Sequence, residues 1–186
     1  MANLLSIYRL AAAPLAAWMV LAGLRDAFFI LLIISLASDL VDGPIARWTG
    51  QDSEIGAKLD TIADGGTVLA AILGLYMFEI DSLRLELSWF YVFLGSYAAA
   101  AIVCLAKFGQ LPAYHLYLSK SAMLGAGTFV TWLYLVDYSP RFFLSVVILG
   151  MLANFESLLV TLRLTRFQSD IGTLFFLSVK ERGVDD

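Results

Sequence analysis

The sequence has very little cysteine, histidine or charge. Cys104 is the only cysteine in 186 residues, so no disulfide can form within the chain. Charged residues make up 15% of the sequence, and the net charge is -4. Binding to the phosphates of a nucleic acid needs a concentrated basic surface, and the sequence contains no such cluster. These absences exclude an intrachain disulfide and argue against a nucleic-acid partner.

Hydrophobic residues are abundant instead. They make up 60% of the chain, and the mean hydropathy is +0.82, which is outside the range of soluble globular proteins. A bilayer core of about 30 Å needs roughly 20 apolar residues per helical crossing, so this length holds about six crossings and little else. We therefore predict an all-α integral membrane protein, a single domain over residues 1–186, with six transmembrane helices and a short N-terminal interfacial helix. The apolar segments cover residues 8–24, 27–47, 56–78, 88–106, 121–137 and 142–162, and a mixed tail follows at 163–186.

The basic residues indicate an orientation in the membrane. If both termini and the second and fourth loops share one side, that side collects nine of the twelve lysines and arginines. The positive-inside rule then places both termini in the cytoplasm. We expect no separate soluble domain, which suits a bacterial plasma membrane as the location. The nine are Arg9, Arg47, Lys58, Lys107, Lys120, Arg163, Arg166, Lys180 and Arg182, and the other three are Arg25, Arg84 and Arg141.

Four aspartates interrupt the apolar pattern between residues 39 and 64. Asp39 and Asp42 are three residues apart, and Asp60 and Asp64 are four apart, so each pair lies on one face of a helix. The short loop between the second and third spans makes these helices antiparallel neighbours. Both acidic faces are then expected to point into one cleft at the cytoplasmic side. A charged residue within a span costs about 2.5 to 3.5 kcal/mol on insertion scales, so this cluster needs a cation.

The four carboxylates favour a hard divalent cation. They offer only oxygen ligands, and no cysteine or histidine lies near them in the sequence to favour zinc. Such a cluster can hold one or two Mg²⁺ ions, which leave coordination positions for phosphate oxygens, so a diphosphate is the expected substrate. The alternative is that the four aspartates are solvated helix ends paired with Arg47 and Lys58.

Small residues and one arginine accompany the acids. Gly43, Ala46 and Gly56 leave the neighbouring helix faces without bulk, so a ligand or another backbone can come close. Arg47 supplies a planar set of donors suited to a phosphate or a base.

The spacing of these residues resembles the signature of the CDP-alcohol phosphatidyltransferase family. Eight fixed positions fall within 26 residues, which makes the pattern specific, and the six-span layout is also similar to that family. The pattern reads Asp39-x-x-Asp42-Gly43-x-x-Ala46-Arg47, then eight residues, then Gly56-x-x-x-Asp60-x-x-x-Asp64.

The resemblance implies a transferase that moves a phosphatidyl group from CDP-diacylglycerol to an alcohol and releases CMP. It implies that Asp39, Asp42 and Asp60 bind Mg²⁺ or Mn²⁺, with two ions expected, and that Asp64 lies at the same metal centre and acts as the general base. It also implies a homodimer within the lipid membrane. The implied nucleotide site comprises Asp39, Asp42, Gly43, Ala46, Arg47, Gly56 and Asp60.

The acceptor alcohol is less well defined than the donor. Asn3 and Arg9 are similar to a pattern in the phosphatidylglycerophosphate synthase and cardiolipin synthase branches, which makes glycerol 3-phosphate the leading acceptor. That branch usually opens the fifth span with a glycine and two lysines, whereas this chain has only Lys120 there. Phosphatidylglycerol, inositol phosphate and serine therefore remain as alternatives. The candidate acceptor-binding residues are His115, Lys120, Arg163 and Arg166.

Two other functions are compatible with an acidic cluster in a membrane protein. An intramembrane prenyltransferase also uses aspartate pairs and Mg²⁺ to hold a diphosphate, but its motifs lack the Gly-x-x-Ala-Arg insert found here. A cation transporter could use the acids as an ion site, although transport sites usually lie near the membrane midplane and these acids are expected at helix ends.

Overall fold

The described part of the chain is entirely helical. A computed structural model describes residues 2–49, 54–114, 116–168 and 171–174, with side chains described within 7–38, 62–114, 116–168 and 171–174. These residues form six α-helices and no strand, which confirms the predicted all-α class. The helices are α1 (Ala2–Leu21), α2 (Arg25–Thr49), α3 (Glu54–Glu79), α4 (Leu87–Phe108), α5 (Tyr117–Leu135) and α6 (Pro140–Arg163).

Three stretches of these helices are long and apolar enough to cross a membrane. Among the described residues they are Ile62–Glu79, Leu87–Phe108 and Pro140–Arg163, and α1 adds a shorter apolar stretch at Ile7–Leu21. This finding supports the membrane class. The predicted interfacial helix and first span form one continuous helix, α1, which accommodates Pro14 in its interior.

Two helices end at glycines with left-handed backbone. Gly23 has φ +73°, and just after it Leu24 N–H donates to the carbonyl of Met19 at 2.9 Å, which closes the last turn of α1. Gly109 has φ +71° and donates from its N–H to the carbonyl of Leu105 at the end of α4. Glycine adopts this conformation without the penalty that a Cβ brings, so both helices stop sharply.

The chain divides into two compact units. Unit one comprises Met1–Arg84 and Val130–Asp137, and unit two comprises Leu85–Phe129 and Tyr138–Asp186. In unit one, α1 packs against α2 and α3, and α2 packs against α3; in unit two, α4 packs against α6.

Small residues bring α1 and α3 close together in unit one. Three buried residues are spaced four apart along α1: Ala12, Ala16 and Val20. A Cβ placed on Gly66 would lie 3.0 Å from the Cβ of Ala13, so the two backbones approach as closely as side chains permit. Membrane helices commonly pack through small residues in this way, because lipid is as apolar as the side chains and hydrophobic burial contributes little to helix association.

Aromatic rings fill the rest of unit one. Phe28 and Phe29 are fully buried, with ring centroids 5.3 Å apart, and Phe28 lies 5.7 Å from the ring of Phe78. The ring of Phe29 stacks on Tyr134 at 5.6 Å. A Cβ placed on Gly74 would overlap with Cζ of Phe28, so only glycine leaves room for this ring.

The Phe28 contact predicts that Gly74→Ala lowers stability. The added methyl group collides with a buried ring, and overpacking of this kind costs about 1 to 3 kcal/mol. Gly65→Ala is the matched control on the same helix, because a Cβ there meets nothing within 4 Å and alanine favours helix by up to about 1 kcal/mol over glycine. Thermal unfolding in detergent should show a lower midpoint for Gly74→Ala only. Equal midpoints for the two variants would contradict the packing described.

Candidate active site

The aspartate motif lies on two helices, as the sequence predicts. Residues 39, 42, 43, 46 and 47 lie on α2, and residues 56, 60 and 64 lie on α3. The side chains at 39–49 and at 54–61 lie outside the described residues, so the predicted roles of Asp39, Asp42, Asp60 and Arg47 remain predictions. Asp64 is the member of the motif whose side chain the structure describes.

Asp64 forms an ion pair with an arginine from another helix. Nη1 of Arg9, on α1, donates to Oδ1 of Asp64, on α3. Arg9 is 1% exposed, whereas the Asp64 side chain is 31% exposed. The arginine is therefore enclosed between helices, while the carboxylate keeps one side open to its surroundings.

Helix α1 places Arg9 on its buried face. Arg9 lies three residues before Ala12 and seven before Ala16, which are buried on the same face against the other helices of unit one. An arginine stays charged at any accessible pH, so burying it requires a carboxylate partner. Asp64 fills that need.

This pair is not among the sequence predictions. In those predictions Arg9 contributes to the orientation and the family branch, and Arg47 and Lys58 are the possible partners of the acids. A signal was present, because a single arginine in the apolar α1 needs a buried acid somewhere in the fold. The sequence alone did not show which acid, since the two residues are 55 positions apart.

A second ion pair joins the start of α2 to the end of α3. Nη2 of Arg25, at the start of α2, donates to Oε1 of Glu79, at the end of α3, at 2.7 Å, and Nε donates to the same oxygen at 3.0 Å. The guanidinium also lies 4.9 Å from the ring centre of Phe29. The start of α2 thus adjoins the end of α3, which confirms that the helices are antiparallel neighbours.

The donor set of the motif fits a divalent metal. In the part of the chain whose side chains are described, no group of three or more histidine, cysteine or acidic residues could hold a metal ion. The three further aspartates of the motif lie outside that part. Four carboxylates supply only oxygen ligands, which suits Mg²⁺ and Mn²⁺ and disfavours zinc. The fit therefore rests on ligand chemistry.

The candidate acceptor residues belong to unit two. Lys120 is exposed in the first turn of α5, where its N–H donates to the carbonyl of Leu116 at 3.0 Å. Arg163 ends α6 and Arg166 follows it, and both are exposed. His115 lies outside the described residues. The three described cations are thus open to solvent or lipid head groups, and their binding role remains a prediction.

A polar cluster in unit two stabilises the chain between α4 and α5. The hydroxyl of Tyr114 lies 2.9 Å from Oγ1 of Thr161 and 3.3 Å from Sγ of Cys104. Burial raises the pKa of Tyr114 well above its ordinary value, and the hydrogen bond with Cys104 acts in the same direction. Nζ of Lys107 donates to the carbonyls of Thr161 and Leu162, each at 2.9 Å, near the end of α6. These bonds satisfy helix-end groups that would otherwise lack partners.

The segment after α6 folds back onto that helix. Oε1 of Glu156 accepts hydrogen bonds from Oγ1 of Thr173 at 2.9 Å and from the N–H of Leu174 at 3.1 Å. The described partners of the Glu156 carboxylate are thus a hydroxyl and a backbone amide. The N–H of Ile171 also donates to the carbonyl of Tyr114 at 3.0 Å, so the segment contacts the chain that leads into α5.

The fold and the described contacts together define a helical membrane protein in which an arginine of α1 pairs with the last aspartate of the motif on α3. The chain matches the model of the CDP-alcohol phosphatidyltransferase family over residues 1–168. The chain therefore belongs to this family, and the resemblance noted in the sequence is confirmed.

Two curated relatives are similar to part of the chain. It is 38% identical over 91 residues to a cardiolipin synthase (CMP-forming) of Streptomyces coelicolor, which covers 46% of this chain and 42% of the relative. It is 39% identical over 82 residues to the chloroplastic CDP-diacylglycerol–glycerol-3-phosphate 3-phosphatidyltransferase 1 of Oryza sativa subsp. japonica, which covers 44% of this chain and 24% of that relative. The matched regions thus span less than half of each relative. No solved structure matches the chain significantly.

The Glu156 contacts predict that Glu156→Ala loosens the segment at 171–174. Alanine removes the acceptor of two hydrogen bonds, whereas the control variant Glu156→Gln keeps an oxygen at the same position. Amide hydrogen exchange measured by mass spectrometry should speed up at Leu174 by about tenfold or more in Glu156→Ala and change little in Glu156→Gln. Unchanged exchange in Glu156→Ala would show that these bonds do not hold the segment.

Proposed function

We propose that this protein transfers a phosphatidyl group from CDP-diacylglycerol to an alcohol, with release of CMP, and that glycerol 3-phosphate is the leading acceptor. Membership of the family supports the reaction class. The name of one relative, a transferase to glycerol 3-phosphate, supports the acceptor. The name of the other, a CMP-forming synthase, supports the release of CMP. The single observation that carries the proposal is the motif on α2 and α3, with its last carboxylate, Asp64, held by Arg9.

The proposed architecture has all six helices crossing the membrane and both termini in the cytoplasm. The helices contain 19 to 26 residues, which is about 29 to 39 Å at 1.5 Å per residue and matches a hydrocarbon core of about 30 Å. The excess of basic residues on one side supports this orientation. A bacterial plasma membrane and a homodimer belong to the same proposal.

Helix geometry supports the convergence of the four acids. Arg25 and Glu79 hold the start of α2 beside the end of α3. Measured from that pair, positions 39 and 42 lie about 21 to 26 Å along α2, and positions 64 and 60 lie about 22 to 29 Å back along α3. The two acidic faces are therefore at similar depth on neighbouring antiparallel helices. This arrangement suits a shared metal centre.

The proposed roles follow from ligand chemistry. Asp39, Asp42 and Asp60 would hold the divalent ions together with Asp64. A divalent ion bound there would polarise the phosphoryl oxygens and offset the charge that develops on the departing nucleotide. Gly43, Ala46 and Gly56 leave space for the nucleotide, and Arg47 donates hydrogen bonds to it.

Asp64 is the proposed general base. Its carboxylate accepts the proton of the acceptor hydroxyl as that oxygen attacks the lipid-side phosphorus of CDP-diacylglycerol. The new phosphorus–oxygen bond forms as the bond to the CMP oxygen breaks, so CMP leaves with the bonding electron pair. The partial exposure of the Asp64 side chain supports access for an acceptor. In unit two, Lys120, Arg163, Arg166 and His115 are the proposed ligands of the acceptor head group.

The proposal predicts metal-dependent release of CMP. Purified protein with CDP-diacylglycerol, Mg²⁺ or Mn²⁺ and a panel of alcohols should release CMP fastest with glycerol 3-phosphate, and a chelator should abolish the reaction. Asp64→Asn should lower the rate by about 10² to 10⁴-fold, because the amide cannot accept the proton. Asp26→Asn, a highly exposed carboxylate near the Arg25 end of α2, is the matched control and should retain the wild-type rate.

Other outcomes of the assay identify other functions. Release with another acceptor would replace glycerol 3-phosphate and retain the reaction class. Turnover of a prenyl diphosphate without turnover of the CDP-lipid, or metal-ion flux in vesicles without either, would contradict the proposal.

A further inference from the structure

The Arg9–Asp64 pair joins a buried cation to the carboxylate of the proposed base. Arg9 is almost completely enclosed, so its guanidinium cannot follow a substrate in and out of the site. It contacts Oδ1 through Nη1. An ionised carboxylate has two oxygens with about four lone-pair positions, so this contact leaves capacity for other ligands. The geometry suits a fixed support for Asp64.

The neighbouring packing makes this support rigid. Ala13 lies one turn beyond Arg9, and Gly66 lies two residues beyond Asp64, and these two residues bring α1 and α3 into close contact. Ala63, just before Asp64, is fully buried, and its carbonyl accepts a hydrogen bond from Oγ1 of Thr67 at 2.9 Å. Close helix contact beside the pair restricts the positions that the guanidinium and the carboxylate can take.

We infer that Arg9 is a positioning residue for phosphatidyl transfer: the guanidinium of α1 fixes the orientation in which the Asp64 carboxylate meets the acceptor hydroxyl. This inference rests on the proposed function. It assigns to α1 a part in the reaction, although the motif that defines the site lies on α2 and α3. A displacement of about 1 Å at a reacting group can cost about 10²-fold in rate, so a support that fixes this carboxylate affects kcat directly.

Substitutions at Arg9 and Arg25 separate positioning from plain stability. Arg9→Met removes the charged group and keeps an unbranched side chain. Arg9→Lys keeps a positive charge, which the flexible lysine side chain can still bring toward Asp64. Arg25→Met is the matched control, because it removes the other arginine–carboxylate pair of unit one. For each variant we would measure the thermal midpoint, kcat and KM for CMP release, and the affinity for CMP by calorimetry.

The expected result is a selective loss of kcat at Arg9. Arg9→Met should lower kcat by about 10- to 100-fold, with KM for CDP-diacylglycerol and the CMP affinity within about threefold of wild type. Arg9→Lys should recover only part of that loss and keep kcat severalfold below wild type, since a charged group restores part of the contact. Arg25→Met should lower the thermal midpoint and keep kcat within about twofold.

Each other outcome contradicts a specific statement. A wild-type kcat in Arg9→Met overturns the inference and leaves the proposed function intact. A loss of CMP affinity that accounts for the whole loss of activity also overturns the inference alone, because it would make Arg9 a nucleotide ligand. A wild-type enzyme that does not turn over CDP-diacylglycerol overturns both. If Arg9→Met does not fold, Arg9→Lys carries the test: its kcat should fall severalfold at a near wild-type midpoint, and an unchanged kcat overturns the inference.

Discussion

The arrangement of unit one depends on one buried charge. Arg9 lies on an apolar helix and is almost completely buried, and leaving a charge buried without a partner costs several kcal/mol. The contact with Asp64 offsets that cost and fixes which face of α1 meets α3. The small residues around the pair, Ala13 and Gly66, permit the short distance between the helices that the contact requires. Charge pairing and backbone packing therefore specify the same arrangement.

The ion pairs Arg25–Glu79 and Arg9–Asp64 have different consequences. Arg25 and Glu79 join the start of α2 to the end of α3, and Arg25 also contacts the ring of Phe29. Asp64 lies in the N-terminal half of α3, at the last position of the family signature. The first pair aligns two helices, and the second lies within the proposed site. This division explains why we expect their removal to affect different measurements.

Much of the fold could be predicted from the sequence, because it follows from local chemistry. The apolar segments predicted the ends of the six helices to within about four residues, except that α1 begins at Ala2, six residues before the first segment. The spacing of the aspartates and the short loop between the second and third spans predicted that the acids lie on two neighbouring antiparallel helices. The contacts of Arg9 and Glu156 could not be predicted in the same way. Arg9 finds its partner through the packing of α1 on α3, and Glu156 binds a hydroxyl and a backbone amide on a segment that folds back after α6. Hydrophobic patterning does not specify either contact, because both depend on tertiary structure.

The energetic coupling between Arg9 and Asp64 tests the account most directly. A double-mutant cycle would compare the free energy of unfolding in detergent for wild type, Arg9→Met, Asp64→Asn and the double variant. Residues in direct contact show coupling energies of about 0.5 to 3 kcal/mol, and a buried charged pair belongs in the upper part of that range, so we predict at least about 1 kcal/mol. Effects that add to within about 0.3 kcal/mol would show that the two side chains do not interact in the folded protein, and would contradict the account.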